Sequence, residues 1–102
     1  MDFREVGRFW YDVAPKGARI YSFHFSLVQQ FNGRIHIYIL SQPPYQSGRS
    51  TDGHATHRYG LGEGRPHICY DPMPSNLQDA KEIAASWARH TVFYNRTGHW
   101  DT

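Results

Sequence analysis

The side chains with the greatest chemical capacity crowd into residues 51–70. Thr51-Asp52-Gly53-His54-Ala55-Thr56-His57-Arg58-Tyr59 leads through a glycine-rich turn to Arg65-Pro66-His67-Ile68-Cys69-Tyr70. Three of the seven histidines and the single cysteine lie here. Imidazole and thiolate are donors that zinc prefers, so His54, His57, His67 and Cys69 form one candidate metal set. Their His-x-x-His and His-x-Cys spacing matches no standard finger. A thiol near cations is, alternatively, a nucleophile. His57, Arg58, Arg65 and His67 are all close to Cys69 in sequence, and nearby positive charge favours the thiolate. A third reading needs no chemistry: Cys69 is a small apolar residue on a short strand, and the histidines are loop residues bonded to nearby carbonyls. Composition alone leaves all three standing. Ser22 and Ser26 have no histidine and acid at a recognisable spacing, so nothing supports a serine triad.

The elements that must position this stretch read as sheet before it and helix after it. Phe9, Tyr11 and Val13 alternate with Arg8, Trp10 and Asp12, the period of a half-buried strand, up to the breaker Ala14-Pro15-Lys16-Gly17. Ala18 to Gln30 is a second strand, with Tyr21, Phe23, Phe25 and Leu27 on one face and Ser22, His24 and Ser26 on the other. Arg34 to Ser41 repeats the alternation through Ile35, Ile37 and Ile39. A two-residue Asn32-Gly33 turn would set Val28 opposite Ile37 and mix the faces. A Phe31-Asn32-Gly33 loop with Gly33 left-handed pairs Leu27 with Ile37 and Phe25 with Ile39, and is the expected register. Pro43 and Pro44 stop the sheet. Residues 43 to 64 form a connection of a length that is usually functional or disordered. Arg65 to Asp71 is one more short strand. Ser75, with Gln78 three residues on, is the expected capping box of a long helix. Its buried stripe is Leu77, Ala80, Ala84, Trp87, Thr91 and Tyr94, and Gly98 stands at its C-cap. His24 and His36 fall on polar strand faces, where solvated side chains are expected. The expected fold class is α+β: an antiparallel β-meander with a long C-terminal helix packed on one face, a single domain over residues 1–102.

Bulk properties narrow the function classes. A chain of 102 residues with 16% aromatics carries enough for one modest core. Eleven basic against nine acidic residues leave +2, too little to argue for nucleic acid. No apolar run reaches the length of a membrane span, and Met1-Asp2-Phe3-Arg4-Glu5 lacks the basic-then-apolar layout of a leader. One cysteine rules out an intrachain disulfide and fits a reducing, cytoplasmic setting.

Several pieces in order resemble the ubiquitin-conjugating enzyme (UBC) fold, most closely its bacterial relatives. They are the hairpin Phe25 to Ile39, Pro43-Pro44-Tyr45, His57-Arg58-Tyr59, Gly64-Arg65-Pro66-His67-Ile68-Cys69-Tyr70-Asp71, and Trp87 through Thr97-Gly98-His99-Trp100. The resemblance spans roughly residues 18 to 100. It implies a β-meander, a proline-rich turn and a histidine-led motif ahead of a thioester cysteine. On that likeness Cys69 takes the C-terminus of a ubiquitin-like protein as a thioester and passes it to an amine, with no metal or nucleotide cofactor at this step. The implied partners are the ubiquitin-like protein and its activating enzyme. His57 matches the histidine that holds the family's active-site loop in shape. The family's His-Pro-Asn reads His57-Arg58-Tyr59 here, so Arg58 or Tyr59 is expected to replace the asparagine that supports the oxyanion. The N-terminal helix that meets the activating enzyme in the family is not evident in residues 1 to 17. The rival is a catalytically inactive member of the fold that binds a partner, and a small zinc-binding domain is the third reading.

Overall fold

The computed structural model describes residues 4–17 and 19–100. The expected strand start at Ala18, Met1-Asp2-Phe3, and the last two positions of the 1–102 domain lie outside that description. Its elements are β1 (Arg4–Val13), β2 (Tyr21–Gln29), β3 (Ile35–Ser41), α1 (Gly53–Thr56), β4 (Arg58–Tyr59), β5 (His67–Ile68) and α2 (Leu77–Thr97). The strands form one antiparallel sheet in the order β1-β2-β3-β5-β4, and α2 covers one face of it. The α+β class expected from the sequence is therefore the one observed. Among the described residues no helix is long and apolar enough to cross a membrane.

Register follows from side-chain alternation. Phe25 pairs with Ile39 and Leu27 with Ile37, the expected register. The Gln30 amide donates to the Arg34 carbonyl (2.7 Å) and Gly33 donates to Gln30 (3.0 Å), with Gly33 at φ 85°. That left-handed position closes the loop without turning either strand over. β1 is longer than the alternation of residues 8–13 suggested, and a bulge between Glu5 and Gly7 keeps Phe9 opposite Phe25 and Tyr11 opposite Phe23.

Phe23, Phe25, Leu27, Ile35, Ile37 and Ile39 meet Ala80, Ala84, Trp87, Ala88 and Val92 in the core. The small alanines let the helix lie close to the sheet, and Trp87 fills the space between. Its indole stands edge-on to Phe23 and Phe25, with centroids 5.9 and 6.1 Å away. Its Nε1 donates to the Thr56 carbonyl (3.1 Å), which gives the buried polar atom a partner and ties the 51–59 stretch to the core. Leu77 departs from the expected stripe: it is 39% exposed at the first turn.

Two further expectations are corrected. Asn76, not Ser75, caps α2, its side chain accepting from the Asp79 amide (2.8 Å) and donating to the Asp79 carboxylate (3.0 Å). Gln78 therefore makes no capping box and donates to Glu82 instead. The connection 43–64 is ordered by α2: Asn95 donates to the Pro44 carbonyl, the Tyr94 hydroxyl to Ser50, and Arg49 to the Tyr94 and Asn95 carbonyls at the helix end. A chain that looked like free loop is held because the last turns of the helix offer polar groups to its backbone.

The far face of the sheet carries the polar alternation, but its histidines are not freely solvated. His24 stacks on Trp10 at 4.2 Å, and His36 on His67 at 5.0 Å. Burial, and then the charge of His67, push the His36 imidazole below its ordinary range.

Candidate functional site around Cys69

The loop before Cys69 is shaped by caps and one strained residue. Asp52 begins α1 by accepting from the Ala55 amide (2.7 Å), with the Ser50 hydroxyl donating to the same carboxylate (3.0 Å). His57 ends the turn at φ 56°, ψ 51°, a left-handed position that histidine tolerates better than most residues. This aims its carbonyl at the Cys69 amide, which donates to it at 2.9 Å. The β4–β5 hairpin then pairs Arg58 with Ile68 and Tyr59 with His67. Gly60, at φ 76°, lies so near the Arg65 carbonyl that a Cβ there would collide with it.

Cys69 is half-buried and lines a groove of about 600 Å³ between α2 and the segment leading from Ile68 to Ser75. The groove follows the helix from Asp79 and Glu82, past Ile83 and Ser86, to Trp87 and His90. Arg34, Met73 and Pro74 line it beside the start of the helix, and the Arg34 guanidinium donates to the Met73 carbonyl (3.0 Å). His57 and Trp100 line the groove with Cys69 and His90. Trp100 folds back over the helix from the Gly98 cap, and both imidazoles stack on it: His57 at 4.3 Å and 15°, His90 at 5.6 Å and 22°. Burial, followed by the charges of His54 and His90, holds the His57 imidazole below its usual range.

Tyr59 stands on the strand beside Cys69, its ring against His67 at 5.6 Å. A hydrogen bond to Cys69, then the charge of that thiolate, hold the Tyr59 phenol above its usual range, with smaller contributions from burial and Asp71.

No family model, curated protein or solved structure matches this chain.

The candidate residues separate into distinct places. Cys69 and His57 line the groove, while Tyr59 packs against His67 outside that lining. Arg58 has its donors engaged elsewhere: Nε to the Thr56 hydroxyl (2.8 Å), one terminal nitrogen to Thr51 (2.7 Å), the other to Gln42 (3.3 Å), with the guanidinium over the Tyr45 ring. It braces the loop. His67 sits among Tyr38, Tyr59 and His36 on the far face of the sheet. Among the described residues no group of three or more His, Cys, Asp or Glu side chains is placed to hold a metal ion, so His54, His57, His67 and Cys69 do not form a ligand set here. Sequence reasoning did not single out His90. The signal was present as the i, i+4 pair Ser86 and His90, which shares one helix face with Trp87 and Ile83.

Proposed function

We propose that this protein carries an acyl group as a thioester on Cys69 and transfers it to an amine, the reaction of ubiquitin-conjugating enzymes. The acyl donor is the C-terminus of a ubiquitin-like protein presented by an activating enzyme. The observation that carries the reading is the half-buried Cys69 thiol lining a groove, with its backbone amide held by the carbonyl of His57, which lines the same groove. The three-strand meander running into a histidine-led loop and then the cysteine, with α2 beneath, agrees with a UBC-like arrangement.

In the loading step the Cys69 thiolate attacks the carbonyl carbon of the incoming thioester, the new C–S bond forms, and the donor's thiolate leaves. In the discharge step an amine attacks the same carbon, a C–N bond forms, the C–S bond breaks and Cys69 is regenerated as thiol. Tyr59, at the position of the family's asparagine, donates to the thiolate before loading and to the developing oxyanion afterwards, and Arg58 keeps the loop in place. His57 shapes the turn through its carbonyl and its stack on Trp100.

Incubation with the diglycine thioester of 2-mercaptoethanesulfonate tests this without the natural partners. The expected result is a diglycyl adduct on Cys69, formed faster than on a free cysteine peptide and released by dithiothreitol, and a thiol-resistant ester on Cys69→Ser. A rate no higher than that of the peptide overturns the reading and leaves the catalytically inactive binding module.

A further inference from the structure

His90 is the groove residue whose chemistry the loading step does not use. Its Nδ1 lies 2.8 Å from the Ser86 backbone carbonyl, with the Ser86 hydroxyl further off at 3.5 Å. A carbonyl oxygen only accepts, so Nδ1 carries the hydrogen and the neutral ring presents Nε2, on its opposite edge, as a free lone pair. The ring is further fixed by its stack on Trp100. It is half-buried and lines the same groove as Cys69, from the facing wall formed by α2. A tautomer fixed by one hydrogen bond, on a side chain that lines the same groove as a nucleophile, leaves one ring nitrogen available as a general base. The groove also suits the group that would need one. Asp79 and Glu82 on the same helix set two carboxylates along the approach against the one guanidinium of Arg34, a balance that favours an amine over an anion.

We propose that His90 is the general base for the acceptor, which is a primary amine entering the groove past Asp79 and Glu82. This rests on the reading of Cys69 as an acyl carrier and adds the identity of the acceptor site to it. The ammonium first loses one proton to solvent, and as the neutral amine nitrogen bonds to the thioester carbon a second hydrogen passes to His90 Nε2. When the C–S bond breaks, the Cys69 sulfur leaves as thiolate and takes that proton back from the imidazolium. Thioester and amine become amide and thiol, and His90 ends as it began.

The test uses the full chain charged on Cys69 with the diglycine thioester, freed of excess probe and mixed with glycinamide, with formation of diglycyl-glycinamide followed by mass spectrometry. His90→Asn is the informative variant, because the asparagine Nδ2 donates to the Ser86 carbonyl where Nδ1 did while the Nε2 lone pair is lost. Wild type and variant are expected to charge at equal rates. Discharge of the variant should fall by about 10²-fold or more, the usual contribution of a positioned base. Added imidazole should accelerate the variant proportionally more than the wild type, a rescue that a merely structural role would not give. If His90→Asn loses the native circular dichroism, His90→Gln takes its place in the same comparison. Equal discharge by wild type and variant overturns His90 as the base while the acyl-carrier reading stands. Wild type that charges no faster than a free cysteine peptide overturns both.

Discussion

At the scale of single residues, the groove separates side chains that the sequence groups together. Arg58 and Tyr59 are adjacent, yet strand alternation sends the guanidinium into the loop and the phenol ring against His67, on the strand that leads to Cys69. They therefore make opposite predictions. Tyr59→Phe should leave the melting temperature nearly unchanged, because Tyr59 is 50% exposed, and should slow alkylation of Cys69 by iodoacetamide several-fold at neutral pH. Arg58→Ala should lower the melting temperature, since three hydrogen bonds and a ring contact disappear. An alkylation rate unaffected in Tyr59→Phe would mean that the phenol does not stabilise the thiolate. Cys69, His57 and Tyr59 were legible in the sequence because they lie within one short stretch. His90 and its pairing with Trp100 were not, because only folding brings residues so far along the chain against the loop.

At the scale of elements, most of the sheet could be read from alternation, and the caps could not. Ile35, Ile37 and Ile39 leave one register that keeps the apolar faces together, so the bulged hairpin followed from pattern alone. Ser75 was the expected N-cap, and Asn76, the observed one, is of a residue type that favours the position equally. The choice depends on where Pro74, whose carbonyl accepts from the Ile35 amide (2.7 Å), fixes the incoming chain. Asn76→Ala should accordingly cost about 1 kcal/mol in denaturant unfolding, and Ser75→Ala close to nothing. A larger loss in Ser75→Ala would restore the capping box. Arg65 to Asp71 was legible as a strand, yet only His67 and Ile68 pair. Beyond them the chain leaves the sheet to form a groove wall, which alternation does not reveal.

At the scale of the molecule, the imidazoles link stability to pH. His36 and His57 are both held below their ordinary range, so in the unfolded chain they take up protons at a higher pH than in the native protein. The charge that faces the first is His67, and those that face the second are His54 and His90. Folding stability is therefore fully expressed above the ordinary imidazole range and falls as pH drops through the depressed native values. The melting temperature should decline between about pH 7.5 and pH 5.5, a window set by imidazole titration. His36→Asn combined with His57→Asn should flatten that slope, and an unchanged slope would assign the pH dependence to other groups.

The order in which the described elements are made has its own consequence. β1, β2 and β3 are joined by short connections and can pair as soon as each leaves the ribosome, which makes the sheet fast to form. Its apolar face, from Phe23 to Ile39, then waits for Ala80, Ala84, Trp87 and Val92, which are translated tens of residues later. Through that interval the nascent chain displays a row of buried-type side chains with nothing over them, the surface that chaperones recognise and that aggregates form from. Codon changes that stall synthesis when β1 to β3 have emerged and α2 is still inside the ribosome should therefore lower the yield of folded protein, while an equal stall before β2 emerges should not.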